Sequence, residues 1–174
     1  MKRPIKYDIN IDKIDALVFD FDGVLTDNFV HLNQNGIESV RCSRADGLAF
    51  DVLQKLKKSV YILSTEKNTV VSSRAEKLGV PVLQGISSKE ETLRGLVSRQ
   101  GYQLTNILYV GNDLNDFQVM SICGFTACPA DSHEKIKQIS TIVLKTNGGF
   151  GVVRELLEDI LNLDFVKILY GELE

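Results

Sequence analysis

The sequence has no Cys-x-x-Cys pair and no cluster of cysteine with histidine. Its three cysteines, Cys42, Cys123 and Cys128, are scattered through 174 residues. An odd count without metal spacing offers neither a disulfide framework nor a zinc site, and reads as reduced thiols in a reducing compartment. Long apolar runs are missing as well. No stretch approaches the ~20 residues that a membrane-spanning helix needs, and the charged stretch Met1–Asp8 lacks the apolar core of a secretory leader. Excess positive charge is also missing. A net charge of −3 leaves no electrostatic footprint for nucleic acid. There are no internal repeats and no low-complexity segments. The expectation is a cytoplasmic protein that engages neither membrane nor nucleic acid.

What is present is ordinary in amount and regular in order. Hydrophobic residues make up 44% and charged residues 25%, as in soluble globular proteins. The length suits one domain, 1–174, with a core that needs no staples. Apolar runs end in polar residues at Ala16–Phe19, Ser59–Leu63, Pro81–Leu83, Ile107–Val110, Phe125–Cys128 and Ile142–Leu144. Between them lie helical patterns: Leu48, Val52, Leu53 and Leu56 on one face; Val70, Val71, Ala75 and Leu78 before Gly79; Leu93, Leu96 and Val97 after Lys89; Phe117, Val119, Met120 and Ile122; Ile136 and Ile139; and a last long helix marked by Val152, Val153, Leu156, Leu157 and Ile160. Strands alternating with helices predict an α/β fold, a Rossmann-like three-layer αβα arrangement around a parallel sheet. Strands apolar throughout predict burial on both faces. Asn28–Leu32 and Ile37–Arg41 flank Asn33-Gln34-Asn35-Gly36, which predicts a β-hairpin flap over about 28–41. Later strand intervals each hold a single helix, so no separate cap domain is expected.

Ligands in such sheets sit beyond the carboxyl ends of the strands. Asp20 and Asp22 stand at the first of these ends, one residue apart and followed by Gly23. Carboxylates this close repel and call for a cation or a shared proton. Oxygen ligands in small number suit Mg²⁺, and a carboxylate can attack phosphorus. Ser64 ends the second strand, Lys89 opens a helix after Gly85-Ile86-Ser87-Ser88, and Gly111-Asn112-Asp113-Leu114-Asn115-Asp116 follows the fourth. Singly, each has a plain structural explanation: an acidic turn, a helix N-cap, a surface lysine, an Asx-rich turn.

Their order resembles the four motifs of the haloacid dehalogenase superfamily of phosphohydrolases. The first motif, Phe19-Asp20-Phe21-Asp22-Gly23-Val24-Leu25-Thr26-Asp27, is the most specific. Arg44-Ala45-Asp46-Gly47, Gln84-Gly85 and Gly148-Gly149-Phe150-Gly151-Val152-Val153-Arg154-Glu155 narrow the likeness to the capless branch. That branch holds 3-deoxy-D-manno-octulosonate 8-phosphate phosphatases, phosphatases of nine-carbon ulosonic (sialic acid-type) 9-phosphates, and domains attached to acylneuraminate cytidylyltransferases.

The resemblance implies Asp20 as nucleophile and Mg²⁺ ligand, and Asp22 as general acid/base with its carbonyl on Mg²⁺. It implies Ser64 and Lys89 as the phosphate-holding pair. Two departures stand out. Asn112 occupies the place where the family usually has a metal-binding Asp, leaving Asn112 or Asp113 as third ligand. Thr65-Glu66-Lys67-Asn68 follows Ser64 where the octulosonate enzymes tend to have Gly-Arg. Glu66, with Arg74 and Lys77 on the next helix, resembles the nine-carbon branch and is expected to bind substrate. The expected activity is therefore a Mg²⁺-dependent phosphatase of an ulosonate phosphate, nine-carbon before eight-carbon. The competing reading is a weakly active or non-catalytic oligomerisation domain. A homotetramer around the hairpin is expected, because Phe29, Val30, Leu32, Ile37 and Val40 are too apolar for a ribbon in water and because the resemblance to the octulosonate branch implies a neighbouring subunit that completes a capless site.

Overall fold

The computed structural model describes residues 9–171; the stretch Met1–Asp8, read above for a leader, lies outside them. Six parallel strands form the sheet: β1 (Ala16–Phe19), β4 (Ser59–Leu63), β5 (Val82–Leu83), β6 (Ile107–Val110), β7 (Phe125–Cys128) and β8 (Ile142–Val143), in the order β5-β4-β1-β6-β7-β8. All four residues of β1 and of β6 are buried, as expected of central strands covered on both faces. Side chains of β1 alternate between two cores. Leu17 and Phe19 pack with α1 (Arg44–Lys55), α2 (Val70–Leu78), α6 (Val152–Glu155) and α7 (Phe165–Tyr170). Ala16 and Val18 pack with α3 (Lys89–Gln100), α4 (Phe117–Ser121) and α5 (Glu134–Ile139). The three-layer expectation holds. No helix among the described residues is long and apolar enough to cross a membrane.

Register decides where the chemistry can sit. Phe19 is level with Ile62 of β4 and Val110 of β6, so Asp20, Ser64 and Gly111-Asn112 emerge together. The strand order also reverses at β1, with β4 on one side and β6 on the other. A crevice at such a switch point is where open α/β sheets take their ligands.

The flap is a hairpin of β2 (His31–Leu32) and β3 (Glu38–Ser39), with His31 opposite Ser39. Asn33 closes its tip: the Asn33 amide donates to Ile37 O, Gly36 N–H donates to Asn33 O, and Asn33 Oδ1 accepts the amides of Asn35 and Ile37. Gly36 takes φ +75°, which a side chain would strain.

Two helical expectations need correction. Leu48 is not on the core face of α1; it is exposed, and the buried positions are Asp46, Ala49, Phe50, Val52 and Leu53. α1 packs on α6 and α7 as well as on the sheet, which turns Leu48 toward solvent. The last long helix keeps its predicted extent, Val152 to Ile160, but not a single geometry. α6 runs into a π-helical turn, Leu156–Ile160, and a separate α7 follows after Asp164 caps the Lys167 amide. A 3.6-residue pattern does not register one extra residue in a turn, and α7 is under two turns long.

Asp46 is the buried polar side chain of α1. Its Oδ1 accepts the amides of Val153 and Arg154 at 2.8 and 3.1 Å. Burial pushes its carboxyl up to about 6, against the pull of those two amides and the Arg74 charge. A raised folded pKa means that the native state holds the proton more tightly, so this group's stabilisation is full below about 4 and is lost as pH rises through about 6. Asp46→Asn removes that loss. The melting temperature of the variant minus that of the parent is expected to grow between pH 4 and pH 7; a constant difference in paired thermal melts would contradict it.

Candidate active site

The loop after β1 holds itself in place. Phe21, Val24 and Leu25 are buried, and Phe21 O accepts the amides of Leu25 at 2.9 Å and Thr26 at 3.1 Å. Asp20 and Asp22 are thereby left on the cleft side. Gly23 has φ +78°, and a Cβ there would stand 1.8 Å from Asn112 Nδ2. Asn112 therefore occupies the space that Gly23 leaves free.

A cleft of about 290 Å³ is lined by Asp20, Asp22, Asn28, Ser64, Thr65, Asn112, Asp113, Leu114 and Asn115. That is at the small end for ligand sites, with room for a group the size of a phosphate. Lys89 is buried behind Asp20. It is the first residue of α3, behind the Ser88 cap that accepts the Glu91 amide. Its Nζ reaches Asp20 Oδ1 at 2.8 Å and Asp116 Oδ1 at 2.6 Å. Asp116 is fully buried and accepts in addition from Tyr109 OH at 2.8 Å and Asn112 N–H at 2.9 Å. Asp116 belongs to the motif after the fourth strand, and Tyr109, in β6, is a partner that the sequence reading does not place in the site. Asp116 was visible in its motif, and Tyr109 looked like one more apolar strand residue.

Charge sets the behaviour of this cluster. Burial raises Asp20 well above the usual carboxylate range, the Asp116 charge adds to it, and Lys89 pulls it back. Asp22 is raised by burial and then by Glu66 and Glu38, with Lys89 opposing. Burial on its own would lower Lys89, but Asp20 and Asp116 together hold it above its usual value. Burial drives Tyr109 well up, and Asp116 and Asp20 add to this. Negative charge is in excess over the one ammonium, so the site is built for a cation or an anion-bound cation.

The donor set fits a divalent ion with oxygen ligands. Asn112 Oδ1 is buried and has no hydrogen-bond partner among the described residues, a costly arrangement unless something positive meets it. Asp113 is exposed, and its carboxylate accepts the Leu114 amide at 2.7 Å, capping the turn Leu114–Asp116. No three His, Cys, Asp or Glu side chains gather as a metal cluster among the described residues; the amide of Asn112 stands where a third acid would complete one.

The remaining sequence expectations divide. Ser64 is buried beside Asp20, and its Oγ accepts the Glu66 amide at 3.1 Å. It does not cap a helix, since α2 begins at Val70 behind Thr69. The Glu66 charge reaches Asp22, but its carboxylate is turned onto its own loop, accepting the amides of Lys67 and Asn68 at 2.6 and 2.7 Å. Arg74 and Lys77 do not line this cleft. They border a second depression with Arg44, Gly47, Leu48, Asp51 and Leu78, where Arg74 Nη2 donates to Ser43 O at 2.9 Å.

Known proteins place this geometry. The profile of the haloacid dehalogenase-like hydrolases matches residues 48–156. The chain is 30% identical over 161 residues to the 3-deoxy-D-manno-octulosonate 8-phosphate phosphatase of Escherichia coli K12, covering 91% of this chain and 86% of that one. It superposes with a TM-score of 0.87 on a haloacid dehalogenase-family hydrolase from Streptomyces avermitilis, at 38% identity and covering 90% of this chain and 96% of that one. With the octulosonate 8-phosphate phosphatase of Moraxella catarrhalis, solved with a magnesium ion, a phosphate ion and a KDO molecule, the TM-score is 0.82 at 30% identity, covering 86% of this chain and 87% of that one. Fold, strand-end residues and relatives agree: this chain belongs to the haloacid dehalogenase-like hydrolases and is a phosphatase.

Proposed function

We propose that the protein is a Mg²⁺-dependent phosphomonoesterase of a sugar acid phosphate, with Asp20 as nucleophile and Asp22 as general acid and base. The observation that carries the reading is a phosphate-sized cleft lined by Asp20 and Asp22, with Lys89 Nζ held behind Asp20 between it and Asp116. Lys89 and the Phe21 amide, 2.7 Å from Asp20 Oδ1, fix the plane of the nucleophilic carboxylate. Ser64 and Lys89 hold the phosphoryl oxygens. The Asp20 carboxylate attacks phosphorus, the phosphorus–oxygen ester bond breaks, and the sugar alkoxide takes a proton from Asp22. Asp22, now a carboxylate, takes a proton from water as that water attacks the phosphoryl group on Asp20. Phosphate leaves and both acids return to their first state. A carboxyl held above its ordinary range can carry the proton this role requires. Asp20, Asp22 and Asn112 are the residues that would hold the cation, which supplies charge neutralisation for the phosphate.

Among substrates, the relatives named for octulosonate 8-phosphate support the eight-carbon acid. Glu66 beside Asp22, in place of the small and basic pair, supports a nine-carbon acid, and we favour that substrate. Asn68 Nδ2 donates to Glu38 Oε2 of β3 at 3.1 Å, so the flap adjoins the same loop. We also propose that a homotetramer forms around the flap, whose Phe29, Val30, Leu32 and Ile37 are more than half exposed. Among the described residues no domain covers the cleft, and a neighbouring subunit would supply the missing wall.

Three measurements test this. In a panel of sugar phosphates with Mg²⁺, the nine-carbon ulosonate 9-phosphate is expected to give the highest kcat/KM, with octulosonate 8-phosphate next; Asp20→Asn is expected to turn over none of them, since an amide cannot attack phosphorus. Residual turnover in a clean Asp20→Asn preparation would sink the covalent route. By calorimetric titration without substrate, Asn112→Asp is expected to bind Mg²⁺ roughly tenfold more tightly, because it adds a charge at a fixed ligand; an unchanged affinity, with a large loss in Asp113→Ala, would move the ligand to Asp113. Light scattering is expected to give a tetramer whose specific activity falls on dilution. A monomer fully active at nanomolar concentration would remove the assembly.

A further inference from the structure

Two segments that stand out in the sequence have no part in the chemistry above: Arg44-Ala45-Asp46-Gly47 and Gly148-Gly149-Phe150-Gly151-Val152-Val153-Arg154-Glu155. In the fold they touch. Asp46 Oδ1 takes the Val153 and Arg154 amides and so caps α6, a task for which Gly151, with φ +104° and no side chain, offers nothing. Buried Glu155 reaches back along the same segment and accepts the amides of Lys145 and Thr146 at 2.9 and 2.8 Å. Both arms of the segment are thus held by buried carboxylates.

Between the arms, the two glycines lie directly on the catalytic loop. A Cβ on Gly148 would stand 2.2 Å from Gly23 O, and one on Gly149 would stand 2.4 Å from Asp27 N. Gly149 N–H donates to Val24 O at 3.0 Å. On the outer side, Asp131 Oδ1 accepts Gly148 N–H at 2.9 Å, and the loop carrying Asp131 donates His133 N–H to Asn112 O, also at 2.9 Å. The contacts close a ring: Gly23 against Asn112, Asn112 to the Asp131 loop, that loop to Gly148, and Gly148 back to Gly23. On one side the loop closes on itself, through its bonds to Phe21 O and through Gly23 N–H, which donates to Thr26 Oγ1 at 3.1 Å. The other side has the glycine segment.

We propose that Lys145–Glu155 is a positioning strap, anchored by Asp46 and Glu155, that fixes the Gly23–Asp27 loop and with it the presentation of Asp22. Asp46 lies on α1 and lines no part of the cleft, so it acts on catalysis only through the strap. The role of Asp22 in this statement rests on the function proposed above. Misplacement of a catalytic group by 1 Å costs about 10²-fold in rate, and two lost amide bonds at the α6 cap are enough to let the strap lift.

The test compares Asp46→Ala, which removes the acceptor, with Asp46→Asn, which keeps it, and with Val97→Ala, a cavity in the opposite layer that reports mere loss of stability. At pH 8 with a small phosphate ester and saturating Mg²⁺, Asp46→Ala is expected to lose roughly tenfold or more in kcat with KM changed by less than about threefold. Asp46→Asn is expected to stay within about threefold of the parent in kcat, and Val97→Ala to keep its kcat while melting earlier. In the metal-free protein, exchange of the Gly149 amide proton is expected to speed up in Asp46→Ala alone. Should Asp46→Ala not fold, Glu155→Gln, which disturbs one of the two acceptors at the other anchor, is read the same way. An Asp46→Ala protein with parental kcat and parental Gly149 protection overturns the strap, as does an Asp46→Asn protein equally impaired. If the parent hydrolyses no phosphate ester, the proposed function fails, and Gly149 exchange still decides whether the anchors hold the strap.

Discussion

The ammonium of Lys89 is the interaction on which the site depends. Asp20 and Asp116 are both buried, and each alone would be expensive to keep ionised away from water. Lys89 bridges them at 2.8 and 2.6 Å. Such a bridge adds little net stability compared with an apolar filling, but removing one partner costs about 3–5 kcal/mol because charge is left stranded. The arrangement persists because each member needs the others. Its inventory of donors continues outward to Tyr109 OH and the Asn112 amide on Asp116. A charge network of this kind ties two strand ends, those of β1 and β6, and the start of α3 together, so the same contacts that hold the proposed nucleophile also define the sheet's carboxyl edge.

The six strands, the parallel sheet and the place of the site were legible because apolar runs end in polar residues at a common level. Asp20, Ser64 and Lys89 follow from that pattern and from the resemblance of their order to a known family. What was illegible has physical causes. Tyr109 reads as a core residue because its ring is one; only its hydroxyl belongs to the site. The choice between Asn112 and Asp113 turns on side-chain direction, which spacing does not encode: the exposed one caps a turn, and the buried one has an unmet oxygen. Leu48 was misassigned because α1 packs on neighbouring helices as well as on the sheet, and a helical pattern names a face without naming what covers it. Arg74 and Lys77 share a helix face with each other but border a depression that shares no lining residue with the cleft.

The flap and the glycine segment treat the catalytic loop differently. The flap is thin, with two residues in each strand and most of its apolar side chains in the open. Arg41 links its base to the rest, pairing with Asp27 at 2.8 Å and lying 5.0 Å above the Phe150 ring. The glycine segment is drawn against backbone with no room for a single added carbon. One side of the loop is therefore open to change of shape and the other is not.

The register of β1 has a consequence for how the protein comes to exist. Ala16 pairs with Ser59 on one side and with Ile107 on the other. The strand that ends at Asp20 is made early and stays an open edge until β6 has been synthesised and carried across. Parallel pairing between such distant segments must meet its loop-closure entropy before any contact rewards it. A nascent or truncated chain that stops short of Val110 would present an apolar, unpaired edge, the kind of surface that recruits other strands. Placing Asp20 at the end of a central strand therefore delays completion of the site until the sheet is whole, and leaves the half-made chain prone to pairing with other strands.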